Sequence, residues 1–276
     1  HCTLMVAFPS QLLLSTKHRK EQILQHLFEP LGTALFTPEG FDTDTFGTFC
    51  GKTPRIDGPK ATVKEKCLAG MRYAQQRQGL ASEGSFGPHP QIPLLTVNEE
   101  WLIYIDLDLG LEIYGRSTSL DVCDQHLSYQ AVDELDSFLE RIEFGAQGLV
   151  FKDMLNDEII DKGITDRKRL LELIEKHHQW HIATDLRAHL NPTRQKNIIE
   201  AGVDLIKRMH NCCPKCQQPD FSVKKYSGHL HCSWCGRPTD HHANEIYSCL
   251  ACNFEESKMR SDLTELDPQF CPHCNP

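Results

Sequence analysis

Eight cysteines toward the C-terminus fall into four Cys-x-x-Cys pairs: Cys213/Cys216, Cys232/Cys235, Cys249/Cys252 and Cys271/Cys274. Fifteen residues separate Cys216 from Cys232, and eighteen separate Cys252 from Cys271. Both gaps match the C-x2-C-x15–20-C-x2-C spacing of a four-thiolate structural zinc site. The expectation is a double zinc ribbon over residues 211–276 holding two Zn2+ ions, read as two successive ribbons. A cross-braced pairing, first pair with third and second with fourth, satisfies the same count and stays open.

Thirteen cysteines would also suit a disulfide framework. Their paired spacing argues instead for thiolate ligands in a reducing, cytoplasmic setting. Cys2, Cys50, Cys67, Cys123 and Cys212 are scattered and expected to be free. The formal charge is -9 with thiols neutral, and each four-thiolate zinc adds about -2. Such an acidic total argues against non-specific coating of DNA. Within 211–276, six Lys/Arg stand against eight Asp/Glu. Lys224, Lys225, Tyr226, His229 and His231 form the strip through which this region would meet nucleic acid. The plainer reading is a fold stapled by metal because its core is small, or a module that docks a protein. No apolar run approaches the roughly 18 residues of a membrane span, so no membrane contact is expected. Residues 1–10 lack the charged and apolar regions of a secretory leader.

Residues 1–210 read as an α/β domain with a mixed sheet, a candidate catalytic or ligand-binding domain. Hydrophobic content of 39% and charged content of 24% suit a globular chain. Residues 11–15 (Gln-Leu-Leu-Leu-Ser) are a short buried strand, and Ile23, Leu24, Leu27, Phe28 and Leu31 have helical spacing over 20–31. A second strand is expected over 33–36. Thr62 is a candidate cap for a helix reaching about residue 78, with Val63, Cys67, Met71 and Ala74 inward. Residues 101–114 read as a hairpin turning on Leu107-Asp108-Leu109-Gly110. Further helices are expected over 129–144, from an Asp166 cap through 178, and from Pro192 to about 209 with Asn191 as cap. A strand is expected over 148–152.

Four polar clusters fall at expected loops or element ends, where function tends to sit. The first runs from Ser15 to Glu21. Lys17 and Lys20 at a helix start would suit a phosphate; a solvated helix N-terminus explains the same residues. The second, over 41–49, carries Asp42 and Asp44, spaced to feed one cation or to form Asx turns. The third, over 81–90, reads as a Gly/Pro-rich turn holding Ser82, Glu83, Ser85 and His89. Glu83 would hold Mg2+ or act as a base, and His89 would bind phosphate or shuttle a proton. Ser85 lacks the Gly-x-Ser-x-Gly setting of a hydrolase nucleophile. In the fourth, Asp185, Arg187 and His189 alternate as on one strand face, and Asn191 and Arg194 follow at the next helix start. These fit an oxyanion clamp or an inter-domain salt-bridge network. His177 and His181 have metal-binding spacing on a helix, or are exposed histidines near its end.

Thr-x-His-x-Lys-Glu (16–21), Phe-Asp-Thr-Asp-x-Phe-Gly-Thr-Phe (41–49), Ser-Glu-Gly-Ser-Phe-Gly-Pro-His-Pro (82–90), Asp-Leu-Arg-Ala-His-Leu-Asn-Pro-Thr-Arg (185–194) and the terminal Cys-Pro-His-Cys-Asn-Pro together resemble a bacterial family of unknown function. That resemblance implies an α/β domain followed by a zinc ribbon. The layout is also similar to the inosine/xanthosine triphosphate pyrophosphatase superfamily. There a strand leads through a Lys-bearing loop to a helix, a second helix carries basic residues, and an acidic Gly turn and a hairpin follow. Here the counterparts are Lys17 and Lys20, Thr62 with Lys64 and Lys66, Ser82-Glu83-Gly84, the 101–114 hairpin and 191–194. The terminal motif departs, being Asn-Pro-Thr-Arg rather than Ser-His-Arg, and the 41–60 stretch is long. The likeness implies an Mg2+-dependent phosphohydrolase acting on a nucleotide or related phosphate compound. Its catalytic residues would be Glu83, His89 and Asp185, with Lys17, Lys20, Ser82, Ser85, Arg187, His189, Asn191 and Arg194 around the substrate. The alternative is a non-enzymatic protein whose zinc ribbon binds nucleic acid or a protein partner.

Overall fold

A computed structural model describes residues 8–16, 19–41, 58–89 and 92–275. The chain divides into two compact units, Phe8–Leu205 and a second containing Ile206–Pro276. Lys17, Asp42 and Asp44 lie outside the described residues.

In the first unit, β1 (Gln11–Ser15), α1 (Lys20–Phe28), β2 (Ala34–Phe36), α2 (Pro59–Tyr73), β3 (Gln78–Pro88), β4 (Thr96–Asp106) and β5 (Leu111–Ser119) build a mixed five-stranded sheet in the order β2-β1-β3-β4-β5. β1 runs parallel to both neighbours, while β3, β4 and β5 are antiparallel. The hairpin expected over 101–114 is there, lengthened at both ends. Val63, Cys67 and Met71 of α2 pack on Leu13, Ala81, Ile103 and Ile105. The opposite face receives α1 and the later helix α5 (Pro192–His210): Gly202 abuts Leu24, Leu27 and Leu102, and Gly115 abuts Ala201 and Leu205. The chain leaves β1 toward β2 on one side and returns to β3 on the other. The crossover helices therefore cover opposite faces, and the strand order reverses at the carboxyl ends of β1 and β3.

A second sheet, β6 (His126–Ser128), β9 (Trp180–Thr184), β7 (Leu149–Asp153) and β8 (Glu158–Ile164), is antiparallel in the order β6-β9-β7-β8. Its core joins Phe151 and Ile182 to Phe138 and Leu139 of α3 (Leu135–Arg141) and Leu170 and Leu173 of α4 (Arg167–Lys176). Asp166 caps α4 by accepting the Arg169 N–H at 2.9 Å, as its sequence position suggests.

Several local expectations change. Gly58, not Thr62, is the N-cap of α2; Pro59 starts the helix and Thr62 is buried inside it. The helix ends at Tyr73, and Gln75 takes φ 53 before β3 begins. The Gly/Pro-rich stretch over 81–90 is mostly strand, because Gly84, like Gly79 just before the stretch, is a close-approach point. A Cβ on Gly79 would stand 2.7 Å from Met71 Cγ, and one on Gly84 would stand 2.2 Å from Glu100 Oε1. Asp185, Arg187 and His189 do not share a strand face: β9 stops at Thr184 and residues Ala188–Leu190 make a 3-10 turn. His177 caps α4 and bonds Asp153 Oδ2 at 2.9 Å, while His181 lies in β9 beside His126, so the two do not share a helix face.

The second unit holds β10 (Ser222–Ser227), β11 (Asn244–Ser248) and β12 (Glu255–Met259) in one antiparallel sheet. Phe221 packs there with Cys213, Cys249, Tyr247 and Phe254.

Candidate functional site

The two cysteine clusters interlock. Cys213, Cys216, Cys249 and Cys252 form one cluster, and Cys232, Cys235, Cys271 and Cys274 the other. The pairing is therefore cross-braced rather than sequential. Nearest sulfurs lie 3.7 and 3.5 Å apart in the first cluster and 3.8 Å apart in the second. A tetrahedron of Zn–S bonds of about 2.3 Å has edges of about 3.8 Å, so each cluster fits one Zn2+. Within the first cluster burial would raise the Cys213 thiol, but the backbone N–H groups of Cys216 and Lys215 bring it down to about 7, while the Cys216 thiol, against the Gln218 N–H, is pushed up to about 12 by burial and its hydrogen bonds to the neighbouring thiols. Cys212 enters neither cluster and is disulfide-bonded, which corrects its expected free state.

In the strip expected to touch nucleic acid, Lys225 pairs with Glu255 at 2.7 Å and Lys224 with Asp220 at 2.5 Å. Tyr226 stacks on His242, with ring centroids 3.9 Å apart. His229 Nδ1 contacts the Thr239 carbonyl and His231 Nδ1 that of Gly236. The strip's cations are thus matched by carboxylates.

In the first unit, charge gathers where β3 passes the end of β1. Register places Glu100 opposite Gly84, on the face of Ser82, while Glu83 lies opposite Trp101 on the α2 face. The Ser82-Glu83 pair is therefore split across the sheet. On the α1/α5 side, Lys20 Nζ donates to Ser82 Oγ at 2.9 Å and to Glu100 Oε2 at 3.3 Å. Arg194 Nε donates to Glu100 Oε1 at 2.7 Å, and its other arm reaches the Leu186 carbonyl. Asn98 donates to Glu100 and receives a bond from Asn197. On the α2 side, Lys66 pairs with Glu83. All of these side chains are buried, Arg194 to 2% exposure and Glu100 to 0%.

Burial pushes the Lys20 ammonium down to about 8, with Glu100 opposing and Arg194 reinforcing the shift. Burial alone would raise Glu100, but the charges of Arg194 and Lys20, with hydrogen bonds from Arg194 and Asn98, hold it at about 2. The cluster thus keeps a carboxylate between two cations at the starts of two helices. Asn191 fixes the second helix: its Oδ1 accepts the Arg194 N–H at 2.9 Å and its Nδ2 reaches the Cys123 and Asp185 carbonyls.

The remaining expected residues scatter. Asp185 binds the Arg187 backbone N–H and guanidinium at 2.6–3.0 Å, a local clamp in which each satisfies the other. His189 lies near this pair, and burial and the Arg187 charge lower its affinity for a proton. Ser85 shares the face of Glu83, two residues along β3. His89 stands six residues beyond Glu83, roughly 20 Å along the strand direction at about 3.3 Å per residue, where its Nδ1 accepts the Ile92 N–H. The sequence reading missed Glu100, Asn98 and Asn197. Glu100 and Asn98 alternate on one strand face, a signal visible only once β4 is extended back to Thr96. Among the described residues, the two cysteine clusters are the only groups of three or more candidate metal-ligating side chains. No described helix is long and apolar enough to cross a membrane.

No curated protein and no solved structure matches the chain, so the likeness to the pyrophosphatase superfamily finds no support in these comparisons. A family model does match, and it spans most of the α/β unit as well as every zinc cysteine. Through that match over residues 66–276, the chain belongs to the DUF6671 family, a domain of unknown function.

Proposed function

We propose that the α/β unit binds a phosphate-bearing small molecule at the carboxyl end of β1, where β3 runs past it, and acts there as a phosphohydrolase on a nucleotide-like substrate. One observation carries this reading: Lys20 and Arg194, from the first turns of two separate helices, converge on Glu100 beside Ser82, where β3 runs past the end of β1. A strand-order reversal is where open α/β sheets take ligands, and helix N-termini favour anions. Phosphoryl transfer rests mainly on positioning and charge stabilisation, which such cations supply. Glu83 would hold Mg2+ together with substrate phosphate oxygens, with Lys66 transferring its charge from Glu83 to the phosphate. The zinc unit would serve as a structural module.

The test is a screen of zinc-replete full-length chain against nucleoside di- and triphosphates with Mg2+. Turnover should fall by about 100-fold or more in Glu83→Gln and in Lys20→Ala, as for loss of one transition-state charge contact. Failure of every phosphate compound to bind or turn over would sink the proposal. A second reading has its own observation: Trp234 is 79% and Leu250 76% exposed within zinc knuckles. Apolar knuckle tips beside neutralised lysines favour a protein partner over nucleic acid.

A further inference from the structure

The α2 face of the sheet carries a feature that phosphate binding leaves unexplained. Trp101 sits between Glu83 on β3 and Arg116 on β5, in one cross-strand row. Directly paired residues on a sheet face have Cβ atoms about 4.5–5.5 Å apart, so the indole adjoins the Lys66–Glu83 pair. The Trp101 ring meets Tyr114 edge-on, with centroids 6.1 Å apart. Two cations stand against it: the Arg116 guanidinium lies 5.2 Å from its centroid, and Lys60 Nζ lies 5.9 Å away and 4.6 Å from the Tyr114 ring. The ring is only partly buried, yet its Nε1–H is buried and has no hydrogen-bond partner. A purely structural cation–aromatic cluster gives no reason to bury an indole donor without an acceptor, which is costly.

We infer that Trp101, Lys60 and Arg116 form a nucleobase subsite: the base stacks on the indole, and the nucleotide's phosphate lies beside Lys66 and Lys20, where β3 runs past the end of β1. A base offers the flat π-face that Trp and Arg both stack on, and the ribose or phosphate oxygens beside the ring edge offer acceptors for the in-plane N–H. The distance from Trp101 to Glu83 is one strand spacing, which a ribose spans. This inference rests on the phosphate reading for the position of the phosphate alone; the base platform has its own geometry.

Calorimetric titration of the full zinc-loaded chain separates the two. The probes are adenosine, guanosine, cytidine and uridine monophosphates, the parent nucleosides, and ribose 5-phosphate. At least one nucleotide should bind about 5- to 150-fold more tightly than ribose 5-phosphate, the range for stacking one base on an aromatic side chain. Trp101→Leu should erase that preference while leaving ribose 5-phosphate affinity within about twofold. Trp101→Phe, which keeps a ring but loses the N–H, should retain part of it. Should Trp101→Leu fail to fold, Arg116→Ala at its exposed site should still weaken nucleotides and spare ribose 5-phosphate. Equal binding of nucleotides and ribose 5-phosphate, or a preference that survives Trp101→Leu, would overturn the base subsite and leave the phosphate reading standing. Trp101-dependent binding of nucleosides without any binding of ribose 5-phosphate would do the reverse. Binding of no probe at all would overturn both.

Discussion

The two units bury charged groups by opposite means. In Phe8–Leu205, the Glu100 carboxylate meets Lys20 and Arg194, and Glu83 meets Lys66, so the chain supplies both signs. In the unit containing Ile206–Pro276, the ligands are thiols converging four at a time, two of each four buried, and the cation must come from solution. The first solution demands side chains far apart in sequence, because Glu100 bonds across separations of 80 and 94 residues. The second uses local Cys-x-x-Cys knuckles and then joins knuckles 33 to 42 residues apart. Salt bridges of this kind need a core already assembled around them. Zinc sites can take the place of a core, which suits a unit whose aromatic cluster is as small as Phe221, Tyr247 and Phe254.

The sharpest way to break this contrast is to remove metal. Structural zinc contributes about 10–16 kcal/mol of apparent binding energy in small domains. Cys249→Ser, or a strong chelator, should therefore abolish cooperative folding of the zinc unit while the α/β unit keeps its own melting transition. Metal analysis should find about two zinc per chain, and chelation should remove both in one step because the sites interlock. Two well-separated steps would speak for independent ribbons.

Next in size is Glu100→Gln. It leaves Lys20 and Arg194 buried without their shared counter-charge, a loss of about 3–5 kcal/mol for a broken buried pair. Urea denaturation of the α/β transition reads it directly; a loss under about 1 kcal/mol would mean the cluster is wetter than its burial indicates.

The smallest effect is one of pH. Lys20 is lowered from 10.5 to about 8, so between those values the unfolded chain binds more protons than the folded one. Stability from this group accordingly rises with pH across that window, and none of the gain is present below about 8. Phosphate affinity moves the other way: it is held below pH 8 and falls as Lys20 loses its proton above it. Titrations with inorganic phosphate from pH 6 to 10, alongside urea melts, should show the two trends diverging, and parallel trends would contradict the burial of Lys20.

Legibility in the sequence follows the range of the interaction. The knuckles, the Asn191–Pro192 helix start, the Asp166 cap and the short strand at Gln11–Ser15 are decided within a few residues, and all were readable. The β3 strand was not, because Gly79 and Gly84 look like turn residues until Met71, Glu100 and Arg194 are packed against them. Strand β8 was missed because Glu158–Ile164 is mostly half-buried or exposed and shows no clean alternation. Lys20 and Arg194 were named as phosphate ligands from their helix-start positions, the charges clustered around them and the superfamily likeness. Their shared partner Glu100 carried no local mark, and the pairing of the four knuckles depends on chain crossings that spacing cannot encode.

The interlocked knuckles also set an order of events during synthesis. The first site cannot close until Cys249 and Cys252 have left the ribosome, by which time half of the second site is already out. The second site stays two ligands short until Cys271 and one short until Cys274. A nascent chain stalled between Cys252 and Cys271 therefore carries an open pair of thiols at Cys232 and Cys235 while the ligands of the first site are already complete.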